Sequence, residues 1–279
     1  MTDDLSANRD KMRANLAMWD ERVPIHVGSE MYANEEFKRG GLTIADYELE
    51  EVGDLRGKTL VHLQCHFGQD TLSWARAGAK SVTGLDFSPA AVKAANKLAS
   101  DIGIDAKFVE SDVYDALETL PDAPYDIVYT GRGALIWLPD LPRWAQIVTA
   151  LLKPGGLFYI REHHPFPYIF DEDPAVASPR LKYHYFNDEA LHDNTPGSYT
   201  DLEAKTTKNE SYEWTHTIGE LITALADAGL VVDLMKERDA IGYQSLGALV
   251  QGDDGMWRMP GDLHGSLPLE YTLRARKPG

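Results

Sequence analysis

From residue 59 onward, short apolar runs alternate with stretches of helical periodicity, and this alternation limits the chain to few folds. Five of the apolar runs are predicted to be buried strands, at residues 59–65, 81–86, 107–110, 125–130 and 157–160. Strands that alternate with helices pair through right-handed crossovers and form a parallel sheet with helices on both faces. We therefore predict an α/β fold built on a doubly wound, mostly parallel sheet.

Residues 217–279 extend the pattern by one helix and two strands. Thr217 and Glu220 fit a capping box that begins a helix, and Gly229 is placed to end it. Residues 230–234 and 269–275 are the two further predicted strands, which brings the sheet to seven.

Two segments depart from the alternation. In residues 1–55, Leu5, Met12 and Trp19 recur at helical spacing, which predicts a helix that packs on the core, closes as a mobile lid or joins subunits of a homo-oligomer. Residues 166–216 hold four prolines and show no clear period, which is typical of a functional loop region. We predict a single domain, 1–279, with four parts: an N-terminal helical cap (1–55), a cofactor-binding core (56–165), an inserted loop region (166–216) and the last helix and strands (217–279).

Charge and cysteine content exclude several classes of protein. The chain has 27 Lys and Arg against 44 Asp and Glu, a formal net charge of -17, so we expect no nucleic-acid partner. Cys65 is the single cysteine, which rules out an intrachain disulfide and a thiolate metal cluster. The first residues lack the pattern of a signal peptide, and no apolar run reaches the length of roughly 18 residues that suggests a membrane span. These features predict a cytoplasmic protein without a membrane partner.

Ligands of an open parallel sheet bind beyond the carboxyl ends of its strands. Asp86 ends the second predicted strand, 18 residues after Gly68, where a carboxylate can accept from both hydroxyls of a ribose. A dinucleotide is a poor candidate, because Gln64 and His66 occupy places where its pyrophosphate requires glycine. The phosphate-binding motif G-x-x-x-x-G-K-[ST] does not occur in the sequence.

Four turns resemble, in order and spacing, the motifs of the class I methyltransferases that use S-adenosylmethionine (SAM). Residues 61–68 resemble the glycine-rich first motif, in the variant form H-L-Q-C-H-F-G. Residues 83–88 resemble the second motif, residues 111–113 the turn that contacts adenine, and residues 151–156 the turn before strand five. The resemblance covers roughly residues 56–165 and implies a Rossmann-like fold, SAM as cofactor, S-adenosylhomocysteine (SAH) as product and no metal.

The resemblance also assigns the cofactor contacts. Asp86 would bind the ribose, Asp112 the adenine amino group with Val113 beside the ring, and the backbone after Thr130 the methionine portion. Tyr32 resembles an aromatic residue that caps the methionine end. The implied contact residues are Tyr32, Gln64, His66, Gly68, Asp86, Phe87, Asp112, Val113, Thr130 and Gly131. His62 stands where the family usually has an acidic residue, so a backbone carbonyl such as that of Gly131 is expected to hold the ammonium group.

Aromatic residues are concentrated in residues 166–216, which hold nine of them in 51 positions. This enrichment predicts a segment that covers an apolar or aromatic small-molecule acceptor, although packing in place of secondary structure would explain it as well. The resemblance then implies O- or N-methylation of this acceptor, in secondary metabolism. Two alternatives stay open: C-methylation of an electron-rich ring or alkene through a cation held by aromatic residues, and a SAM-binding or scaffold subunit without turnover.

Histidine is the side chain best suited to take the proton from an oxygen or nitrogen acceptor. His164, at the end of the fifth predicted strand, and His216, just before the last helix, are the predicted catalytic residues. A structural role is an equal alternative for each, since His164 could bond loop backbone and His216 could stabilise a helix start.

Overall fold

The structure is a computed structural model that describes residues 4–120 and 122–279, so residues 1–3 of the predicted cap lie outside the described residues. The helices are α1 (Asp4–Gly28), α2 (Asn34–Lys38), α3 (Asp46–Val52), α4 (Gln69–Arg76), α5 (Pro89–Ile102), α6 (Ala116–Thr119), α7 (Leu141–Leu151) and α8 (Ile218–Asp227). The strands are β1 (Thr59–Leu63), β2 (Ser81–Asp86), β3 (Lys107–Glu110), β4 (Tyr125–Gly131), β5 (Leu152–His163), β6 (Leu191–Asp193), β7 (Ser211–Glu213), β8 (Val231–Arg238), β9 (Val250–Gln251), β10 (Trp257–Arg258) and β11 (Glu270–Arg276).

Seven strands form one sheet in the order β3-β2-β1-β4-β5-β11-β8. The first five are parallel to their neighbours, whereas β11 runs antiparallel to both β5 and β8. This arrangement confirms the predicted Rossmann-like, mostly parallel sheet of seven strands. Because β1 lies between β2 and β4, the carboxyl ends of these three strands are adjacent at one edge of the sheet.

Apolar layers cover both faces of the sheet. On one face, Trp144 of α7 and Leu225 of α8 are fully buried against Phe158 of β5. On the other face, Trp74 of α4 packs with Tyr129 and is likewise fully buried. Burial of side chains of this size contributes roughly 1.5–3 kcal/mol each, so the sheet is a firm support for the turns at its edge.

Local sequence signals account for several element boundaries. The Ser88 hydroxyl accepts from the amide of Ala91 at 3.1 Å, which caps α5 before the first-turn Pro89. The predicted capping box forms at α8, where the Thr217 hydroxyl accepts from the Glu220 amide and the Glu220 carboxylate from the Thr217 amide.

Helix α1 and residues 166–216, together called the cover below, are joined by polar contacts. Asn15 bonds the Tyr212 backbone in both directions, at 2.8 and 2.7 Å, and Arg22 donates to the Lys208 carbonyl at 2.9 Å. The cover contains the short β6 and β7 ladder, which packs against α1. None of the helices in the described part of the chain combines the length and apolar character needed to cross a membrane.

Candidate functional site

A cavity of about 160 Å³ lies at the carboxyl ends of β1, β2 and β4. Its floor is made by the turns that follow β1, β2, β3 and β4. Its roof is made by two parts of the cover, α1 and Tyr199. Of the ten predicted cofactor residues, nine line this cavity: Tyr32, Gln64, His66, Gly68, Asp86, Phe87, Asp112, Val113 and Gly131.

The tenth residue, Thr130, is not among the lining residues. Its side chain is fully buried, and its hydroxyl donates to the Leu63 carbonyl at 3.0 Å, which ties β4 to the end of β1. Thr130 therefore supports the turn after β4 rather than facing the cavity. The neighbouring Gly131 has φ +154°, and a Cβ there would lie 1.9 Å from the Arg161 carbonyl oxygen, so only glycine fits this position.

The turn after β1 has the left-handed backbone typical of glycine at two positions that are not glycine. Gln64 and His66 have φ of 56° and 50°, in the left-handed region that costs a non-glycine residue about 1–2 kcal/mol. Gly68 has φ +84°, and a Cβ there would lie 2.6 Å from the Phe108 ring. The turn thus places two polar side chains against the cavity at a cost in backbone strain.

Asp86 is the buried anion of the site, with 6% of its surface exposed. Its Oδ2 accepts from the His66 amide at 2.7 Å, and its Oδ1 accepts from the Ser88 amide at 3.0 Å. Burial raises the pKa of Asp86 to about 6. Each oxygen retains acceptor capacity, and a diol that donates to both would stabilise the ionised form.

Gln64 supplies a buried acceptor that has no partner among the described residues. Its Nε2 donates to the Ala134 carbonyl at 2.8 Å, which leaves Oε1 buried without a donor. An unpaired buried polar atom costs roughly 1–3 kcal/mol, so this position is suited to a ligand that brings an N–H or O–H group. The ammonium group of SAM fits that requirement.

An ion pair that the sequence did not identify lines the same cavity. Arg132 Nε lies 2.6 Å from Asp70 Oδ2, and the guanidinium also donates to the Thr43 carbonyl. Burial opposes ionisation of Asp70, but Arg132 holds the pKa of this carboxyl below its usual value. The pair offers one group of each sign to the zwitterionic amino-acid end of SAM. Its sequence signal was the charge of Arg132 between two glycines of a predicted strand turn.

At the adenine end, the Asp112 carboxylate accepts from the Tyr114 amide at 3.0 Å and caps a short 3₁₀ turn that begins at the buried Val113. Taken together, acceptors for a ribose, a base and an ammonium group line one cavity, so the residues present fit SAM. Among the described residues there is no group of three or more His, Cys, Asp or Glu side chains placed to hold a metal ion.

Aromatic rings also line the cavity. Trp19 of α1 meets Trp137 edge to face, with ring centroids 5.2 Å apart, and the Tyr32 and Tyr199 hydroxyls share a hydrogen bond. Of the nine aromatic residues in 166–216, Tyr199 alone lines this cavity. Phe166 and Phe170 instead pack with residues 241–269, and Phe186 is 84% exposed. Residues 166–216 are expected from the sequence to cover the cavity with many aromatic rings. They contribute one ring, that of Tyr199, and α1 contributes another, that of Trp19.

The structure does not bring either predicted catalytic histidine to the cavity. His164 bonds Glu237 of β8 through Nε2 at 2.9 Å and accepts from the Phe166 amide through Nδ1 at 3.1 Å. His216 bonds the Leu138 carbonyl through Nε2 at 2.8 Å and lies beside a separate, smaller cavity. Both contact sets are structural, because each ring is bonded to its own surroundings and neither His164 nor His216 lines the cavity. The expected position of His164 in the Asp86 crevice is corrected by this geometry.

Two other histidines meet at the cavity wall. His26 of α1 is fully buried, and its Nδ1 lies 2.9 Å from His66 Nε2. The second nitrogen of His26 lies 2.7 Å from the Ser198 hydroxyl. No sequence motif indicates a role for His26, because it contacts these partners only through the packing of α1 on the rest of the chain.

The fold and the cavity are those expected of a class I SAM-dependent methyltransferase domain. The comparison with known families agrees, since residues 61–158 match the profile of the methyltransferase domain family. A ubiquinone biosynthesis O-methyltransferase of Sodalis glossinidius (strain morsitans) is 36% identical over 111 residues, which are 40% of this chain and 43% of that protein. The chain spans about half the length of the curated relatives it matches.

Solved structures share the fold at lower identity. A SAM-dependent methyltransferase from Mesorhizobium loti aligns with a TM-score of 0.55 and 21% identity, over 83% of this chain and 96% of that one. Geranyl diphosphate C-methyltransferase from Streptomyces coelicolor A3(2), solved with Mg²⁺, geranyl diphosphate and SAH, gives a TM-score of 0.53 and 14% identity, over 84% of this chain and 78% of that one.

Proposed function

We propose that this protein transfers the methyl group of SAM to an oxygen or nitrogen of an apolar or aromatic small molecule. The observation that carries the proposal is the set of residues lining the cavity at the carboxyl ends of β1, β2 and β4. The cavity presents the buried Asp86 carboxylate and the unpartnered Gln64 amide oxygen together with the rings of Trp19 and Trp137. The family match and the named O-methyltransferase relatives support methyl transfer.

The chain's own residues would bind and orient the cofactor. Asp86 would accept from the ribose hydroxyls, Asp112 from the adenine amino group, and Gln64 Oε1 from the ammonium group. The Asp70 and Arg132 pair would complete the amino-acid end. SAM supplies an electrophilic methyl group, so the remaining work of the protein is to align the acceptor and exclude water.

The walls also indicate the class of acceptor. Aromatic rings bury flat or apolar molecules well, and Trp19, Trp137 and Tyr199 all line the cavity. The formal net charge of -17 opposes an approach by nucleic acid, which favours a small molecule.

C-methylation is the second candidate, and the same rings favour it. The faces of Trp19 and Trp137 could stabilise a cation formed when an electron-rich ring or alkene attacks the methyl group. This route needs no base to remove a proton before methyl transfer.

The test uses full-length protein, methyl-labelled SAM and a panel of phenols, amines and prenyl compounds, alongside calorimetry with SAH. We expect micromolar or tighter SAH binding and labelled product from phenols or amines. Product from prenyl compounds alone would select the carbon route. Binding of SAH without product across the panel would indicate a subunit without turnover, and failure to bind SAH would refute the proposal.

A further inference from the structure

The acceptor of an O- or N-methylation carries a proton that must leave, so the site requires a group able to take it. The carboxylates at the cavity wall are engaged in the contacts described above. His62 lies in β1 with its Nδ1 on the Thr71 hydroxyl at 2.9 Å and its ring against Tyr129, at the amino-acid end. His66 is the remaining imidazole of the wall, and it lies among the aromatic rings.

His66 is the first member of a continuous hydrogen-bonded row. Its Nε2 meets His26 Nδ1 at 2.9 Å, His26 Nε2 meets the Ser198 hydroxyl at 2.7 Å, and that hydroxyl lies 3.3 Å from the Thr200 hydroxyl. Among the described residues, no hydrogen bond engages His66 Nδ1. The row therefore leads from a free ring nitrogen at the cavity wall to the half-buried Thr200 in the cover.

We propose that His66 is the general base of the methyl transfer and that His26 and Ser198 carry its proton out of the cavity. This inference rests on the proposed function and narrows it to an acceptor with an O–H or N–H group. In the receptive state, His66 Nε2–H donates to His26 Nδ1, and His26 Nε2–H donates to Ser198. His66 Nδ1 then holds a free lone pair for the acceptor's proton.

Every group in this row that gains a proton also gives one up. The acceptor's proton bonds to His66 Nδ1 as its electron pair forms the bond to the methyl carbon, and the sulfonium becomes a neutral sulfide. His66 passes its Nε2 hydrogen to His26 Nδ1, His26 passes its Nε2 hydrogen to Ser198, and Ser198 releases its own hydrogen toward Thr200 and water. Each ring ends neutral with one N–H, and one proton has left the site.

The surroundings of the two imidazoles suit this role. The rings of Trp19, Tyr32 and Tyr199 pack around them, with ring centroids 4.7 to 5.7 Å from those of the histidines, which fixes their orientation and excludes water. The charged groups that act on the pair are Arg22, for His26, and Asp70, for His66. Burial lowers the pKa of His26 to about 4 and that of His66 to about 3, so both rings rest in the neutral form near pH 7 and neither retains an added proton. The proton therefore has to pass along the row in one concerted step, for which the hydrogen-bonded geometry is arranged.

The first test needs no acceptor and uses full-length protein with ¹⁵N-labelled imidazoles, saturated with SAH. The ring ¹⁵N spectrum should show the hydrogen of His66 on Nε2 and that of His26 on Nε2. Ser198→Ala should shift the signals of both rings, whereas the exposed control His192→Gln should shift neither. A His66 hydrogen on Nδ1, or a His66 signal insensitive to Ser198→Ala, would overturn the inference alone. Failure to bind SAH would instead overturn the proposed function on which it rests.

The second test is chemical rescue in His66→Gly. The left-handed backbone at this position favours glycine, so the variant should fold, and it leaves room for an added imidazole. With a phenol or amine that the panel identifies, the single-turnover rate should fall by about 10²–10⁴-fold. Added imidazole should restore at least about tenfold of that loss, in proportion to its neutral form. An equal loss without rescue, accompanied by weaker SAH binding, would show a purely structural role.

Discussion

The floor of the cavity and its cover are held in different ways. The floor consists of strand turns fixed by backbone contacts, such as the close approach of Gly131 to Arg161 and the amides that bond Asp86. Within the cover, residues 166–216 are held by side-chain hydrogen bonds, such as those of Ser198 with His26 of α1 and of Tyr199 with Tyr32. A few such bonds contribute about 1 kcal/mol each, so residues 166–216 can separate from α1 at a cost that leaves the floor intact.

Replacing one glycine of the floor and one of the cover by alanine should reveal the largest difference between the two regions in the free energy of unfolding. Gly131→Ala places a Cβ 1.9 Å from the Arg161 carbonyl oxygen, between β4 and β5, and should lower the free energy of unfolding by about 3 kcal/mol or more. Gly197→Ala places a Cβ 2.6 Å from the Leu202 carbonyl oxygen in the cover and should cost about 1–2 kcal/mol. Urea denaturation followed by circular dichroism measures both, with the unobstructed Gly242→Ala as control. Equal costs would contradict the distinction.

Asp86→Ala tests whether the floor carries most of the cofactor affinity. The variant loses two charge-assisted hydrogen bonds to the ribose, which should weaken SAH binding by about 2–4 kcal/mol. Calorimetry gives the dissociation constant directly.

Asp126→Ala is the matched control for this measurement. Asp126 accepts from Thr59 and pairs with Lys153 at 2.8 Å, but it lies near the amino end of β4, at the edge of the sheet opposite the cavity. It should lower stability without changing SAH affinity. An Asp86→Ala variant with unchanged affinity would remove Asp86 from the site.

How much the sequence could predict follows the same division. The strand and helix periods place β1 to β5 within a few residues, and the turns they define hold Gly68, Asp86 and Asp112 at the cavity. These predictions succeed because each rests on contacts that are local in sequence or repeat with a regular period. His26 could not be predicted, because its partners Ser198 and His66 are 172 and 40 residues away.

The error at His164 has a related cause. His164 does follow the end of β5, but where its ring points depends on the backbone after the strand, which no periodic pattern predicts. The ring of His164 bonds Glu237 of β8, a contact between residues 73 positions apart.

The pH dependence of stability should report the contacts between floor and cover. His26 is fully buried with a pKa of about 4, against 6.5 for its ordinary value, so the unfolded chain binds a proton that the folded chain does not. Stability from this group is fully present above pH 6.5 and is lost as the pH falls toward 4, by about 1.4 kcal/mol per pH unit.

His26→Gln should remove this contribution, so about 2 kcal/mol of the stability lost between pH 7 and pH 5 should disappear in the variant. Asp86, whose pKa is raised to about 6, acts in the opposite direction, but it does so in both proteins and cancels in the difference. Denaturant titrations at several pH values supply the measurement. Parallel pH profiles for the two proteins would show that His26 does not titrate with unfolding.

The smallest expected effect is that of a single hydroxyl in the cover. Tyr199→Phe keeps the ring at the cavity but removes the hydrogen bond to Tyr32, which should destabilise the closed cover by about 1 kcal/mol. SAH should then dissociate about fivefold faster in stopped-flow experiments that follow Trp19 fluorescence, because opening precedes release. Tyr183→Phe, which removes an exposed hydroxyl bonded to Glu172 in the same segment, should leave the rate unchanged. An increase of a hundredfold or more in the SAH dissociation rate would mean that the Tyr199 hydroxyl binds the ligand itself. Tyr199 would then belong to the binding surface and not only to the cover.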